Sequence, residues 1–168
     1  MDFSIRLANA CDLAAVREIY NYYVTRSTCT FQIELDSEEE RLAWFQQRSA
    51  AHPVTVAEQA GQVIGWGALS AWKSRCAYAK TVEGSIYIHH AFHRCGIGRA
   101  LLLDLIERAR QLGHHTVIGG ACTEQAASLA LQASLGFQPV GTFRAVGYKF
   151  GRWLDVAYMQ LFLDEHST

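Results

Sequence analysis

The 168-residue chain predicts one mixed α/β domain over residues 1–168, an α+β arrangement built on a mixed sheet. Three observations carry that expectation. Helical and strand-like periodicities alternate in the order β-α-α-β-β-β-α-β-α-β-β. No long linker, low-complexity segment or internal repeat divides the chain. Half of the residues are hydrophobic (50%), enough for one substantial core and too little chain for two comfortable ones.

Residues 4–8, Ser-Ile-Arg-Leu-Ala, alternate polar and apolar and predict a first strand. Asn9 or Asp12 can then cap a helix, since its side-chain oxygen accepts from free backbone N–H groups. Leu13, Val16, Ile19, Tyr20, Tyr23 and Val24 recur at helical spacing, with Tyr20, Tyr22 and Tyr23 as core and rim aromatics. Residues 28–35 read as a loop or short extended piece. Ser37 with Glu40 three residues on forms a capping box, which predicts a second helix through Arg48 burying Leu42, Phe45 and Trp44. The run Glu38-Glu39-Glu40 suits the positive end of that helix, a structural role rather than a metal-binding one.

Two strand-like runs, 53–58 and 62–69, flank Gln59-Ala-Gly61 and predict a hairpin. Gly65 and Gly67 inside the second run predict a bulge or the close approach of another backbone. Residues 72–80 are irregular, basic and aromatic, the composition of a substrate wall. A strand over 81–89 leads into a helix from about Gly96 to Gln111. Leu101, Leu102, Leu105, Ile106, Ala109 and Leu112 form its apolar face, and Gly113 ends it. Residues 115–119 predict a fifth strand and residues 125–135 a short helix closed by Gly136. Two last strands, about 137–147 and 153–163, join through Lys149-Phe-Gly-Arg152.

Composition narrows the function classes. Fifteen basic residues balance sixteen acidic ones for a net charge of -1, so no global basic field points to nucleic acid or an anionic membrane. The N-terminus lacks the basic region and apolar core of a signal peptide, and no run of apolar residues is long enough to span a bilayer. Both absences lead to the expectation of a cytoplasmic protein. The five cysteines are odd in number and scattered without a Cys-x-x-Cys pair, which favours reduced thiols over a disulfide scaffold or zinc knuckle. Cys95, beside glycines, is a candidate oxidation-sensitive position.

The chemistry concentrates in Thr81–Leu103. A strand there carries Glu83, and the helix that follows opens at Arg94, Cys95, Gly96, Ile97, Gly98 and Arg99. A helix N-terminus has unpaired N–H groups and a partial positive charge, which together attract phosphate. Glycines at 96 and 98 let oxygen atoms approach the backbone, and Arg94 and Arg99 add charge-assisted contacts. The pattern lacks the Lys-Ser/Thr ending of a P-loop, the third glycine of a dinucleotide fingerprint, and a following acidic ribose ligand.

The stretch His93-Arg-Cys-Gly-Ile-Gly98 resembles the GNAT-type N-acetyltransferase superfamily, whose acyl-CoA motif is Gln/Arg-x-x-Gly-x-Gly/Ala after an exposed strand edge; His93 replaces the Gln or Arg. A closer resemblance, over nearly the full length, is to the phosphinothricin and methionine sulfoximine acetyltransferases. It rests on Tyr20-Asn21, Trp72-Lys73, Thr81-Val-Glu-Gly-Ser-Ile-Tyr-Ile88, Ala126-Ala-Ser-Leu129, Leu135-Gly-Phe137 and above all Gly147-Tyr-Lys-Phe-Gly-Arg-Trp-Leu-Asp155. It implies the GNAT fold, a central and mostly antiparallel sheet flanked by helices.

The resemblance also implies roles. Glu83 takes the place of the general base, needed because an ammonium is not nucleophilic until it loses a proton. Burial on the strand raises its pKa toward useful basicity; the competing structural role is an ion pair with Lys80 or Arg75. Acetyl-CoA lies along Ile86, Tyr87 and Ile88 like an added strand, with a backbone N–H there for the oxyanion and Arg94–Arg99 at the pyrophosphate. Gln125 stands where relatives carry an Asn that contacts the cofactor, and Leu131-Gln132 where they often carry Leu-His. Phe31, Arg75 and Tyr78 are candidate contacts to an amino-acid-like acceptor, while Lys73 reads as a solvated side chain. The transfer is direct, without a covalent enzyme intermediate and without a metal. Relatives are commonly homodimers, and Trp153, Tyr158 and Phe162 offer an apolar patch for one.

Seven histidines, with His89, His90, His93, His114 and His115 close in sequence, raise a metal reading. Adjacent strand residues point to opposite faces, and no Cys or carboxylate joins these at ligand spacing, so surface or loop histidines are expected. Two alternatives stand beside the leading function. One keeps the fold but moves the amine to another metabolite or a peptide N-terminus; the other is a non-catalytic acyl-CoA-binding module.

Overall fold

A computed structural model describes residues 2–163. Its elements are β1 (Ser4–Leu7), α1 (Leu13–Val24), α2 (Glu38–Gln46), β2 (Val54–Gln59), β3 (Gln62–Ala71), β4 (Thr81–Ile88), α3 (Ile97–Gln111), β5 (Thr116–Cys122), α4 (Ala126–Ser134), β6 (Gln138–Lys149) and β7 (Arg152–Phe162). The strands form one seven-stranded sheet in the order β1-β2-β3-β4-β5-β7-β6. Every pairing is antiparallel except β4 with β5. That parallel pair is short, joining only Thr81–Glu83 to Thr116–Ile118. Beyond it the two strands part.

Helices cover both faces. On one, α1 packs with β2 and β3 around Val16, Ile19, Val54, Val56, Trp66 and Ala68. On the other, α3 buries Leu102, Leu105, Ile106 and Ala109 against Leu69, Val82, Val117 and Met159. Gly65 and Gly67 are the seats for this helix. A Cβ on Gly65 would come within 3.2 Å of Ile97 and Leu101, and one on Gly67 within 3.0 Å of Leu105. Side chains alone approach Gly65, whereas at Gly67 the neighbouring backbone is close as well, with the Ser85 carbonyl oxygen 3.3 Å from where a Cβ would be. A bulge lies alongside, where the β2–β3 register shifts between Ala57 and Glu58.

The turns follow their sequence signals. Ala60 and Gly61 both take positive φ (49° and 80°), as do Phe150 and Gly151 (53° and 75°), the backbone a two-residue hairpin requires. Ser37 and Glu40 cap each other reciprocally at the start of α2. At α1 the work divides: Asn9 caps the short 3-10 turn Ala10–Asp12, while the Asp12 carboxylate turns back to the Asn9 N–H and to Arg6.

Several expectations are corrected. Leu42 is exposed; the residue α2 buries is Arg41, which pairs with Asp36 and lies over the rings of Tyr20, Trp44 and Trp66. That stack turns Arg41, Trp44 and Phe45 inward and rotates Leu42 out. Leu112 is also exposed, at the C-terminal end of α3. The fifth strand runs on to Cys122 instead of ending at Gly119, because β7 pairs with Gly120, Ala121 and Cys122 as well. His114 is buried, with Nε2 2.8 Å from the Ala51 carbonyl. Tyr158 is half-buried rather than part of an exposed patch, while Trp153 and Phe162 are exposed.

Candidate active site

Where β4 and β5 part, the sheet opens into a cleft of about 550 Å³. One wall is β4 from Gly84 to Ile88; the other is Gly119–Ala121 of β5 with Gln125, Ser128, Leu131 and Gln132 of the α4 segment. Past Glu83 the edge of β4 that faces β5 has no strand partner among the described residues, so its backbone groups are open to an extended ligand. The Ile88 carbonyl accepts from the Tyr23 hydroxyl, which is also 2.5 Å from His93 Nε2.

The N-terminus of α3 closes one end. Arg94 (φ 62°) and Gly96 (φ 82°) are left-handed, which turns the chain sharply into the helix. Helix geometry leaves the N–H groups of Ile97, Gly98 and Arg99 without intrahelical partners; the first such bond runs from Ala100 to the Gly96 carbonyl. Gly98 is close to both walls, since an added Cβ would lie 3.5 Å from Ile86 Cδ1 and 3.5 Å from Leu131 Cδ2. A chain with an anionic head and an extended amide-bearing tail matches this combination of donors and open strand edge.

Glu83 stands just beyond the cleft, where the β4–β5 pairing ends. Its carboxylate makes no ion pair or hydrogen bond among the described residues, and burial pushes its pKa up from 4.5. The ion pair with Lys80 or Arg75 is not formed: Lys80 Nζ lies 3.4 Å from where a Gly113 Cβ would be, and Arg75 is exposed. The Tyr158 ring flanks the same spot, for a Cβ on Gly120 would sit 3.0 Å from that ring and 3.6 Å from Glu83 Oε1. Trp72 and Phe143 meet Tyr158 edge-on, at 5.4 and 5.6 Å between centroids. Burial, and next the charge of Glu83, push the Tyr158 pKa up.

Of the residues singled out from the sequence, Ile86, Tyr87, Ile88, Arg94, Gly96, Ile97, Gly98, Arg99 and Gln125 line the one cleft. Cys95 does not; its thiol lies against the His93 carbonyl. Phe31 packs on Gly147, where a Cβ would fall 2.0 Å from its ring. Arg75 and Tyr78 are on the exposed segment before β4. Gln125 spends its amide on the 27–28 loop, donating to Thr28 Oγ1 at 2.9 Å. That loop is also fixed by the buried Lys149, which donates to the carbonyls of Ser27 (2.8 Å) and Thr30 (2.6 Å) and whose pKa burial lowers. Ser27, Cys29, Gly119, Gly120 and Ser128 line the cleft without having been singled out. The Gly119-Gly120 pair was the available signal, since adjacent glycines within a strand mark close approach.

His89 and His90 stack on one another and His90 on Tyr22. Among the described residues no group of three or more His, Cys, Asp or Glu side chains is placed to hold a metal ion.

An open strand edge beside a glycine-bearing helix start, with a half-buried carboxylate at its end, is the arrangement expected of an acyl-transfer enzyme of the GNAT class. Residues 5–158 match the acetyltransferase (GNAT) domain family, and the chain belongs to it as an N-acetyltransferase. A curated relative is the L-methionine sulfoximine/L-methionine sulfone acetyltransferase of Salmonella typhimurium, 41% identical over 98% of this chain and 97% of its own. Among solved structures, a phosphinothricin acetyltransferase of Sinorhizobium meliloti in complex with acetyl-CoA superposes with a TM-score of 0.94 at 38% identity, covering 98% of this chain and 90% of that one. A ribosomal-protein-alanine N-acetyltransferase of Brucella melitensis matches with a TM-score of 0.93 at 39% identity, over 95% and 99% of the two chains.

Proposed function

We propose that the protein transfers the acetyl group of acetyl-CoA to the α-amine of a small amino-acid-like substrate of the methionine sulfoximine, methionine sulfone or phosphinothricin type, with Glu83 as general base. The observation that carries this reading is the half-buried carboxylate of Glu83, without a cation among the described residues, at the point where β4 and β5 part. Acetyl-CoA is the acetyl donor. Its pyrophosphate sits on the free N–H groups of Ile97–Arg99 beside Arg94, and its pantetheine runs along Ile86–Ile88 as an added strand. Glu83 takes a proton from the acceptor's nitrogen, directly or through a water. The amine then attacks the thioester carbon; the C–N bond forms, the C–S bond breaks, and the departing thiolate takes up a proton. A backbone N–H of β4 steadies the oxyanion. Trp72, Tyr158 and Phe143 give the acceptor side of Glu83 an aromatic wall suited to an apolar or sulfur-bearing side chain.

The test is CoA release with methionine sulfoximine, methionine sulfone, phosphinothricin, aminoglycosides, polyamines and a short peptide. Turnover with the three amino-acid analogues is expected. Release with none of them sinks the substrate assignment, and tight acetyl-CoA binding by calorimetry without release from any acceptor identifies a binding module instead. A peptide N-terminus is the second reading, favoured by the resemblance to the Brucella protein.

The reading extends to assembly and location. Val140, Phe143, Val146, Tyr148, Phe150 and Trp153 leave an exposed apolar surface on the β6–β7 hairpin, which supports a homodimer. Elution as a monomer across micromolar dilution contradicts that. Five free cysteines accord with a reducing, cytoplasmic setting.

A further inference from the structure

This inference rests on the acetyl-CoA site just described. With the phosphates at Ile97–Arg99 and the carrier chain following β4 from Ile88 back through Ile86, the thioester arrives where Gly84 and Gly119 face each other across the parting strands. Gln132, from α4, is the floor at that point. Its side chain is buried, with 7% exposure; Nε2 donates to Ser128 Oγ at 3.3 Å, and Oε1 has no partner among the described residues. It occupies the space above Gly119 so fully that a Cβ there would lie 2.1 Å from Oε1. Leu102, Leu131 and Phe137 also line this part of the cleft, so the surroundings of the glutamine are apolar. The facing side is roomier, for a Cβ on Gly84 would keep 3.5 Å from Val117 and 3.9 Å from Leu102.

A buried amide oxygen without a donor costs stability, and an aliphatic residue would fill an apolar recess better. What the glutamine does there is take up volume at the thioester end. We propose that Gln132 is the floor of the acyl subsite and sets the length of the acyl group the enzyme transfers. Acetyl places a single methyl beyond the carbonyl carbon and fits above the amide. Propionyl and butyryl must push methylenes into the volume Gln132 fills. The bonds made and broken are those of acetyl transfer; only the chain on the carbonyl carbon differs.

The experiment compares wild type, Gln132→Ala and Gln132→Leu, each as the full chain, with acetyl-, propionyl- and butyryl-CoA and methionine sulfone as acceptor. The reading is the ratio of kcat/KM for butyryl-CoA to that for acetyl-CoA. One methylene in an apolar pocket is worth roughly 10- to 200-fold in selectivity, so Gln132→Ala should raise the ratio about tenfold or more. Gln132→Leu keeps the bulk and should keep the wild-type preference for acetyl. A ratio unchanged in a folded Gln132→Ala that still uses acetyl-CoA overturns the proposal, and so does a Leu variant relaxed as far as the Ala one. If alanine prevents folding, Gln132→Asn carries the same test with propionyl-CoA, the expected gain being smaller and its absence equally decisive. A wild type that releases CoA from no donor refutes the underlying site instead, a result distinct from a ratio indifferent to residue 132.

Discussion

Replacing Glu83 by Gln removes one charge and almost no volume. The carboxylate it removes is half-buried, has no ion pair among the described residues, and is raised above the ordinary value of 4.5 by its partial burial. General-base catalysis contributes roughly 10²- to 10⁴-fold, so kcat/KM should fall by that factor, equivalent to about 3–5 kcal/mol of transition-state stabilisation. The pH dependence gives a sharper reading. A base works deprotonated, so activity in the wild type should fall as pH falls through the raised pKa, with the midpoint of the acid limb above 4.5. That limb should vanish in Glu83→Gln. Stability should move the other way. A carboxyl whose folded pKa lies above its unfolded one stabilises the fold most when protonated, and that contribution is lost as pH rises through the folded value. Above its folded pKa the charged, desolvated group is therefore a burden, and there the Gln variant should melt at the same temperature as wild type or higher. Initial rates of CoA release from pH 5 to 9, with melting curves alongside, test both halves. Wild-type kcat/KM in the variant, or an unaltered acid limb, refutes the base assignment; a clear loss of thermal stability would mean Glu83 is held for structure.

Gly98→Val places a side chain between Ile86 and Leu131 at the phosphate end. The KM for acetyl-CoA should rise about 10- to 100-fold, the worth of one charge-assisted hydrogen bond, with the melting temperature nearly unchanged; an unaltered KM contradicts the cradle. Lys149→Met strips the Ser27 and Thr30 carbonyls of their buried donor and should cost about 1–3 kcal/mol in urea unfolding, against no change if the loop holds itself. Gly147→Ala drives a methyl into the Phe31 ring and should cost about 1–3 kcal/mol, most of it recovered when Phe31→Leu is added; purely additive effects would place the strain elsewhere.

Local chemistry was the legible part of this chain. The Ser37–Glu40 capping box, the Ala60-Gly61 and Phe150-Gly151 turns and the glycine-led start of α3 are each decided within a few residues, and the structure has them where the signals lie. Whatever depends on which strand lies beside which was not legible. Gly119 and Gly120 look like the end of a strand until β7 supplies a partner for them. The cleft exists because β4 and β5 pair over three residues and then separate, a fact no single segment carries. Arg41 displaces Leu42 from the inner face of α2 because three aromatic rings from two other elements, and from α2 itself, receive its guanidinium. Gln125 and Lys149 both turn to the 27–30 loop for the same reason: their partners are about a hundred residues away in sequence. Tyr158 beside Glu83 belongs with them, brought there by the β5–β7 pairing that sets it opposite Gly120.

The choice of acceptor is decided by a competition in one vessel. Purified protein receives limiting acetyl-CoA with equimolar methionine sulfone and a peptide beginning with alanine, and mass spectrometry follows both products. Acetyl should accumulate on methionine sulfone, on its only nitrogen, while the peptide is left nearly unmodified. Acetylation of the peptide in preference to the sulfone would contradict it.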